Sequence, residues 1–131
     1  MATGSLPRTW ALIVGAVLIL VGVLGFVANP IVGSAPGALV ATDTLHNIVH
    51  IGTGVLALAI ASMKGDALVN GLFGFGILYA VVFVLVLISP NLLGLFSVPA
   101  NAYDHVIHAA LAAVTLGVAY MARSSYQTVR A

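Results

Sequence analysis

Four apolar stretches, each close to twenty residues long, set the fold of this chain: residues 10–28, 45–63, 67–88 and 103–122. A helix needs about 20 apolar residues to cross the hydrocarbon core of a bilayer, whereas a barrel strand needs only about 10. A backbone inside lipid must satisfy its own polar groups, and runs of this length do so as helices. Of 131 residues, 62% are hydrophobic and only 5% charged. A water-soluble domain carries about a quarter charged residues. The expected architecture is therefore all-α, a four-helix transmembrane bundle in one domain, residues 1–131.

The few cations orient it. Arg8 precedes the first stretch, Lys64 separates the second from the third, and Arg123 and Arg130 follow the fourth. All four then fall on one side of a four-span topology, which the positive-inside rule makes cytoplasmic. Both termini are expected inside, with the longer links 29–44 and 89–102 outside. The first stretch is longer than the core of a signal peptide, and no small-residue cleavage site follows it promptly, so it reads as a retained helix. There is no cysteine, which removes thiolate ligands and covalent haem attachment. A net charge of +1 offers nothing to nucleic acid.

All four histidines lie in two short echoing segments, H-N-I-V-H (His46 to His50) and D-H-V-I-H (Asp104 to His108), at the outer ends of the second and fourth stretches. Laying His50 on His108 brings His46 onto Asp104, Asn47 onto His105 and Asp43 onto Asn101. The stretches preceding them correspond loosely and each ends at a proline, Asn29-Pro30 and Ser89-Pro90. The chain thus reads as one helical hairpin used twice. An even number of spans per repeat keeps both copies in the same orientation, with a pseudo-axis along the membrane normal. Asn101, or Thr42 and Thr44, are candidate helix caps. The tight inner turn at Met63-Lys64-Gly65-Asp66 makes the second and third helices antiparallel neighbours.

On a wheel of about 100° per residue, His46, His50, Asp43 and Asn47 fall within about 100°, and so do Asp104, His108, Asn101 and His105. Residues four apart share a face, which makes His46 with His50, and Asp104 with His108, natural pincers. If the two arcs meet, three imidazoles and a carboxylate converge in the outer leaflet. Ionisable groups inside a membrane bundle mark a functional site.

Three readings fit. Neutral His, Asn and Asp can tie the second helix to the fourth as a hydrogen-bonded seam. The same groups can bind a metal ion (Zn, Fe or Mn) through His46, His50, Asp104 and His108. Or His50 and His108 can hold b-type haem, with Gly54 and Ala112, one turn further on, leaving room for the macrocycle. Asp43, Asn47, Asn101 and His105 are supporting candidates. Trp10, Tyr103 and Tyr120 read as interfacial anchors. Thr53 and Thr115 continue the polar arcs and commonly bond back to their own helix. Asp66, in the inner turn, reads as a solvated charge. No nucleophile stands near a base, no phosphate-cradling loop is present and no carboxylates are paired, so an enzyme is not expected.

The run L-H-N-I-V-H-I-G-T-G-V-L-A-L, followed after a further helix by V-P-A-N-A-Y-D-H-V-I-H, resembles an uncharacterised bacterial family of four-helix integral membrane proteins, a domain of unknown function. His46, Asn47, His50, Gly54, Asp104 and His108 match its pattern. His105 stands where a smaller polar residue is usual, and Val40-Ala41-Thr42 replaces a glycine-containing approach to the second helix. The resemblance implies the topology and a bacterial inner (cytoplasmic) membrane location, and brings no activity. The sequence therefore leads to a small membrane protein holding a metal ion or b haem between helices two and four. The alternative is a non-catalytic accessory subunit of a larger respiratory, photosynthetic or transport complex, or a homo-oligomer, with the cluster as a structural seam.

Overall fold

In a computed structural model, residues 5–94 and 99–130 are described. The expected outer link 89–102 falls partly outside these residues, and so does the side chain of Arg130. The described residues form four long helices, α1 (Ser5–Leu24), α2 (Thr44–Ser62), α3 (Gly65–Ile88) and α4 (Ala102–Arg130). All four are long and apolar enough to cross a membrane. Their outer faces are apolar all round, with Leu20, Val55, Leu87, Val106 and Tyr120 exposed. In water such a continuous surface would associate; in lipid it is simply solvated.

Helix ends follow local chemistry. α1 stops at Leu24, short of the expected 28, because Asn29 gathers the chain beyond it. The Asn29 amide donates to the carbonyls of Leu24, Val27 and Val32, and its oxygen accepts from Ile31 and Val32 N–H. Asp43 caps α2: its carboxylate accepts from His46 N–H at 2.8 Å. Asn101 caps α4 in the same way, accepting from Asp104 N–H at 3.1 Å. Thr42 and Thr44, the other candidates for α2, do not serve; an aspartate three residues before the amide is the better-placed acceptor. Two short parallel strands, β1 (Val32–Gly33) and β2 (Val40–Ala41), fold the first outer link back onto the bundle.

Packing is by hairpins. α1 lies mainly along α2, and α3 mainly along α4. α2 and α3, joined by a two-residue turn and expected to be close neighbours, touch far less. Small residues decide the difference, since close backbone approach is what drives helix association in lipid. A Cβ on Gly15 would meet Leu58 and the carbonyl of Gly54, and one on Gly54 would meet Ile19 and the carbonyl of Gly15. These two glycines let α1 and α2 meet backbone to backbone. Toward the end where α1 begins and α4 ends, the four helices share one apolar core, including Ala11, Leu18, Ile60, Leu68, Leu72 and Ala119. The cations gather at this end: Arg8 donates to the carbonyl of Met63 at 2.9 Å, and Arg123 lies 5.6 Å over the ring of Phe73.

Contacts between the two hairpins follow the 58-residue repeat. Ala41 N–H donates to Asp104 Oδ2 at 3.1 Å, while His46 Nδ1 lies 3.1 Å from the carbonyl of Pro99. Exchanging each residue for its repeat mate turns the first contact into the second. His50 and His108, mates of each other, meet directly. These contacts agree with the repeat read from the histidine motifs.

Candidate metal centre and its cavity

Three imidazoles converge where the two hairpins meet. One ring nitrogen from each of His46, His50 and His108 lies within 4.8 Å of the other two. The ring centres are 4.4 Å apart for His46 and His50, and 5.7 Å for each of these with His108. His50 Nε2 and His108 Nε2 are separated by 3.4 Å. His46 and His50 are buried, and His108 is half-buried.

The partner of His46 fixes its tautomer. A carbonyl oxygen only accepts, so Nδ1 donates its proton to Pro99 and Nε2 is left with a free lone pair. A ring so oriented is prepared as a metal ligand. His50 Nδ1, by contrast, is buried and has no partner among the described residues.

Several candidates fall elsewhere. Asp104 is buried at 1% exposure, yet its Oδ2 is taken by the N–H groups of Ala41 and Asn101. It stands outside the three-residue cluster and acts as a clamp that ties the first outer link to the start of α4. Asn101 adds to that clamp, its amide donating to the carbonyl of Leu39 at 2.9 Å. Asp43 is a cap. Asn47 faces α1, where a Cβ on Gly25 would collide with its side chain. Gly54 also faces α1, and Ala112 is buried in the shared core. Neither borders the space beside the triad, so the room expected there for a macrocycle is not where these residues are.

Two expectations about aromatic and hydroxyl residues also change. Trp10 turns inward instead of anchoring at the interface, and its Nε1 donates to Thr115 Oγ1 at 2.9 Å. Thr115 therefore bridges α4 to α1. Thr53 does bond back to its own helix, at 2.8 Å to Val49, and also pairs with Tyr79 OH at 2.7 Å. Sequence reasoning missed Tyr79, whose signal was a lone hydroxyl in the most apolar of the four stretches. It also missed Pro99, because a carbonyl acceptor leaves no mark on residue type.

Beside the triad lies a cavity of about 340 Å³ between α2, α3 and α4. Leu45, Val49 and Thr53 form one wall, Leu78, Val82 and Val86 another, and the three imidazoles close one side. Tyr79, Phe83 and His105 complete much of the lining. No Lys, Arg, Asp or Glu is among its lining residues.

Residues 8–121 match the family model DUF4383, a domain of unknown function. The chain belongs to the DUF4383 family. No curated protein and no solved structure matches it. The DUF4383 match runs from the start of α1 to near the end of α4, so it takes in both hairpins, the triad and the cavity.

Proposed function

We propose that this protein binds one transition-metal ion through His46, His50 and His108. The separation of 3.4 Å between His50 Nε2 and His108 Nε2 carries the reading. Two imidazole nitrogens each about 2.05 Å from a tetrahedral ion stand about 3.3 Å apart. Two axial nitrogens on opposite sides of a haem iron would stand roughly 4 Å apart, with a wide planar ring between them. The imidazole spacing therefore favours an ion, and the packing of Gly54 and Ala112 agrees with it.

An all-imidazole set suits Zn²⁺ or Fe²⁺ better than Mn²⁺, which prefers carboxylate and water. Three protein ligands leave a fourth position open, the arrangement of sites that take an exogenous ligand. His50 is the least firmly held of the three, because nothing orients its Nδ1. The role is binding, not catalysis, and the membrane is the bacterial inner one with both termini cytoplasmic. The gathering of Arg8, Lys64 and Arg123 toward one end of the bundle supports that orientation.

A second reading has its own support. Without an ion, His50 and His108 can share a proton, and with the His46–Pro99 bond they would close a seam between hairpins. That reading suits a non-catalytic accessory subunit of a larger membrane complex. Elemental analysis and an absorption spectrum of the gently purified protein separate the readings. About one zinc or iron per chain without a Soret band is expected. A Soret band, or a metal-free chain co-purifying with large subunits, would overturn the ion site.

A further inference from the structure

Beside the cavity, repeat mates of the two hairpins differ in kind. In the first hairpin Gly25 faces Asn47, and the two helices close tightly enough that no Cβ fits. Their repeat mates in the second hairpin are Phe83 and His105, whose rings stand edge to face with centres 6.1 Å apart. Two rings thus stand between α3 and α4 where the first hairpin has a glycine and an amide. The cavity has Phe83 and His105 both in its lining.

We propose that this cavity binds a membrane-soluble molecule with an apolar body and an uncharged oxygen-bearing head, the head resting against the histidine triad. The inference rests on the triad being a site, and it names what that site receives. A volume of about 340 Å³ lies within the ordinary range for small-molecule pockets, which are lined mainly by apolar groups with a few convergent polar ones. Here the polar groups converge on one side: three imidazoles, with the Thr53–Tyr79 hydroxyl pair nearby.

The nature of the head follows from charge. No cationic side chain lines the cavity, so with no ion in the triad an ionised carboxylate or phosphate taken into it would be desolvated without a partner. A carbonyl or hydroxyl oxygen has no such cost. It can accept from or donate to an imidazole, or complete the open position of a bound ion. The entrance lies on the lipid-facing flank between α2 and α3, where lining residues Val49 and Leu78 are 46% and 41% exposed. A ligand dissolved in the bilayer reaches the triad without passing through water.

The test uses the full chain in nanodiscs, both as purified and after chelator treatment. Binding of decylubiquinone, 1-dodecanol and sodium dodecanoate is measured by native mass spectrometry. One neutral probe per chain is expected, with decylubiquinone and dodecanol separating a ring-carbonyl source from a hydroxyl source, and dodecanoate at least tenfold weaker in the chelator-treated chain. Val82→Trp and Leu78→Trp each fill the cavity, and either should weaken the neutral probes at least tenfold while metal content is unchanged. Binding of neutral probes to a chain that proves metal-free, still blocked by these variants, supports the cavity and rejects only the ion. Equal or tighter binding of dodecanoate to the chelator-treated chain, no binding of either neutral probe, or full binding by both tryptophan variants would overturn the proposal.

Discussion

His50 and His108 are 58 positions apart in the chain and touch at Nε2 to Nε2, each the repeat mate of the other. A side chain on a two-fold axis meets its own counterpart, so a single motif used twice builds a site from both copies. The paired histidines offer two nitrogens to the proposed ion, and His46 offers a third.

Removing a ligand should act unequally. His50→Ala and His108→Ala each take away one of the two nitrogens at 3.4 Å, and each should lower metal affinity by 100-fold or more. Asp104→Asn leaves all three imidazoles in place and should change it by less than tenfold. Competition with a chromophoric chelator measures all three; a 100-fold loss in the aspartate variant would return Asp104 to the ligand set.

Protons and metal compete for the same nitrogens, since an imidazole must be neutral to bind. Occupancy should therefore fall as pH falls, and more steeply than one proton per ion because three rings are involved. Metal retained at each pH after dialysis gives the curve. A flat profile from pH 8 to pH 4 contradicts an all-histidine site.

The close approach of α1 and α2 is sensitive to single methyl groups. Gly25→Ala forces a Cβ into the Asn47 side chain, and Gly54→Ala forces one against the Gly15 carbonyl. Each should destabilise the fold by about 1–3 kcal/mol. Thermal unfolding in detergent reads this, with Gly74→Ala, where nothing lies within 4 Å, as the neutral control.

The sole tryptophan reports on the bond between α1 and α4. Trp10→Phe and Thr115→Val each remove the 2.9 Å hydrogen bond. A double-mutant cycle should give a coupling of about 0.6 kcal/mol, and no more than about 1.7, the range for such bonds in membrane bundles. Thr115→Val should also shift the Trp10 emission. An unchanged spectrum would place the indole elsewhere.

Much of this was legible in the residues. The four apolar stretches gave the bundle, and the echo of His46–His50 in Asp104–His108 gave the repeat and hence the meeting of α2 with α4. What could not be read was which way each polar group would spend its hydrogen bonds. Asp104 lay on the right face for a ligand, but the strand at Val40–Ala41 presents it with a backbone N–H, and that contact depends on a loop with no periodicity. Asn47 lay at the margin of its arc, and only the glycines of α1 decide that it turns toward that helix. The cavity was hidden because the difference between repeats beside it, Gly25 against Phe83, falls at positions where overlaying the motifs drew attention only to likeness.

That single mismatch has a consequence for stoichiometry. A perfectly duplicated chain would present two equivalent doors to its central histidines, one on each flank. With glycine packing on one flank and aromatic rings beside the cavity on the other, the proposed guest enters a doubled scaffold through the ring-bearing side alone.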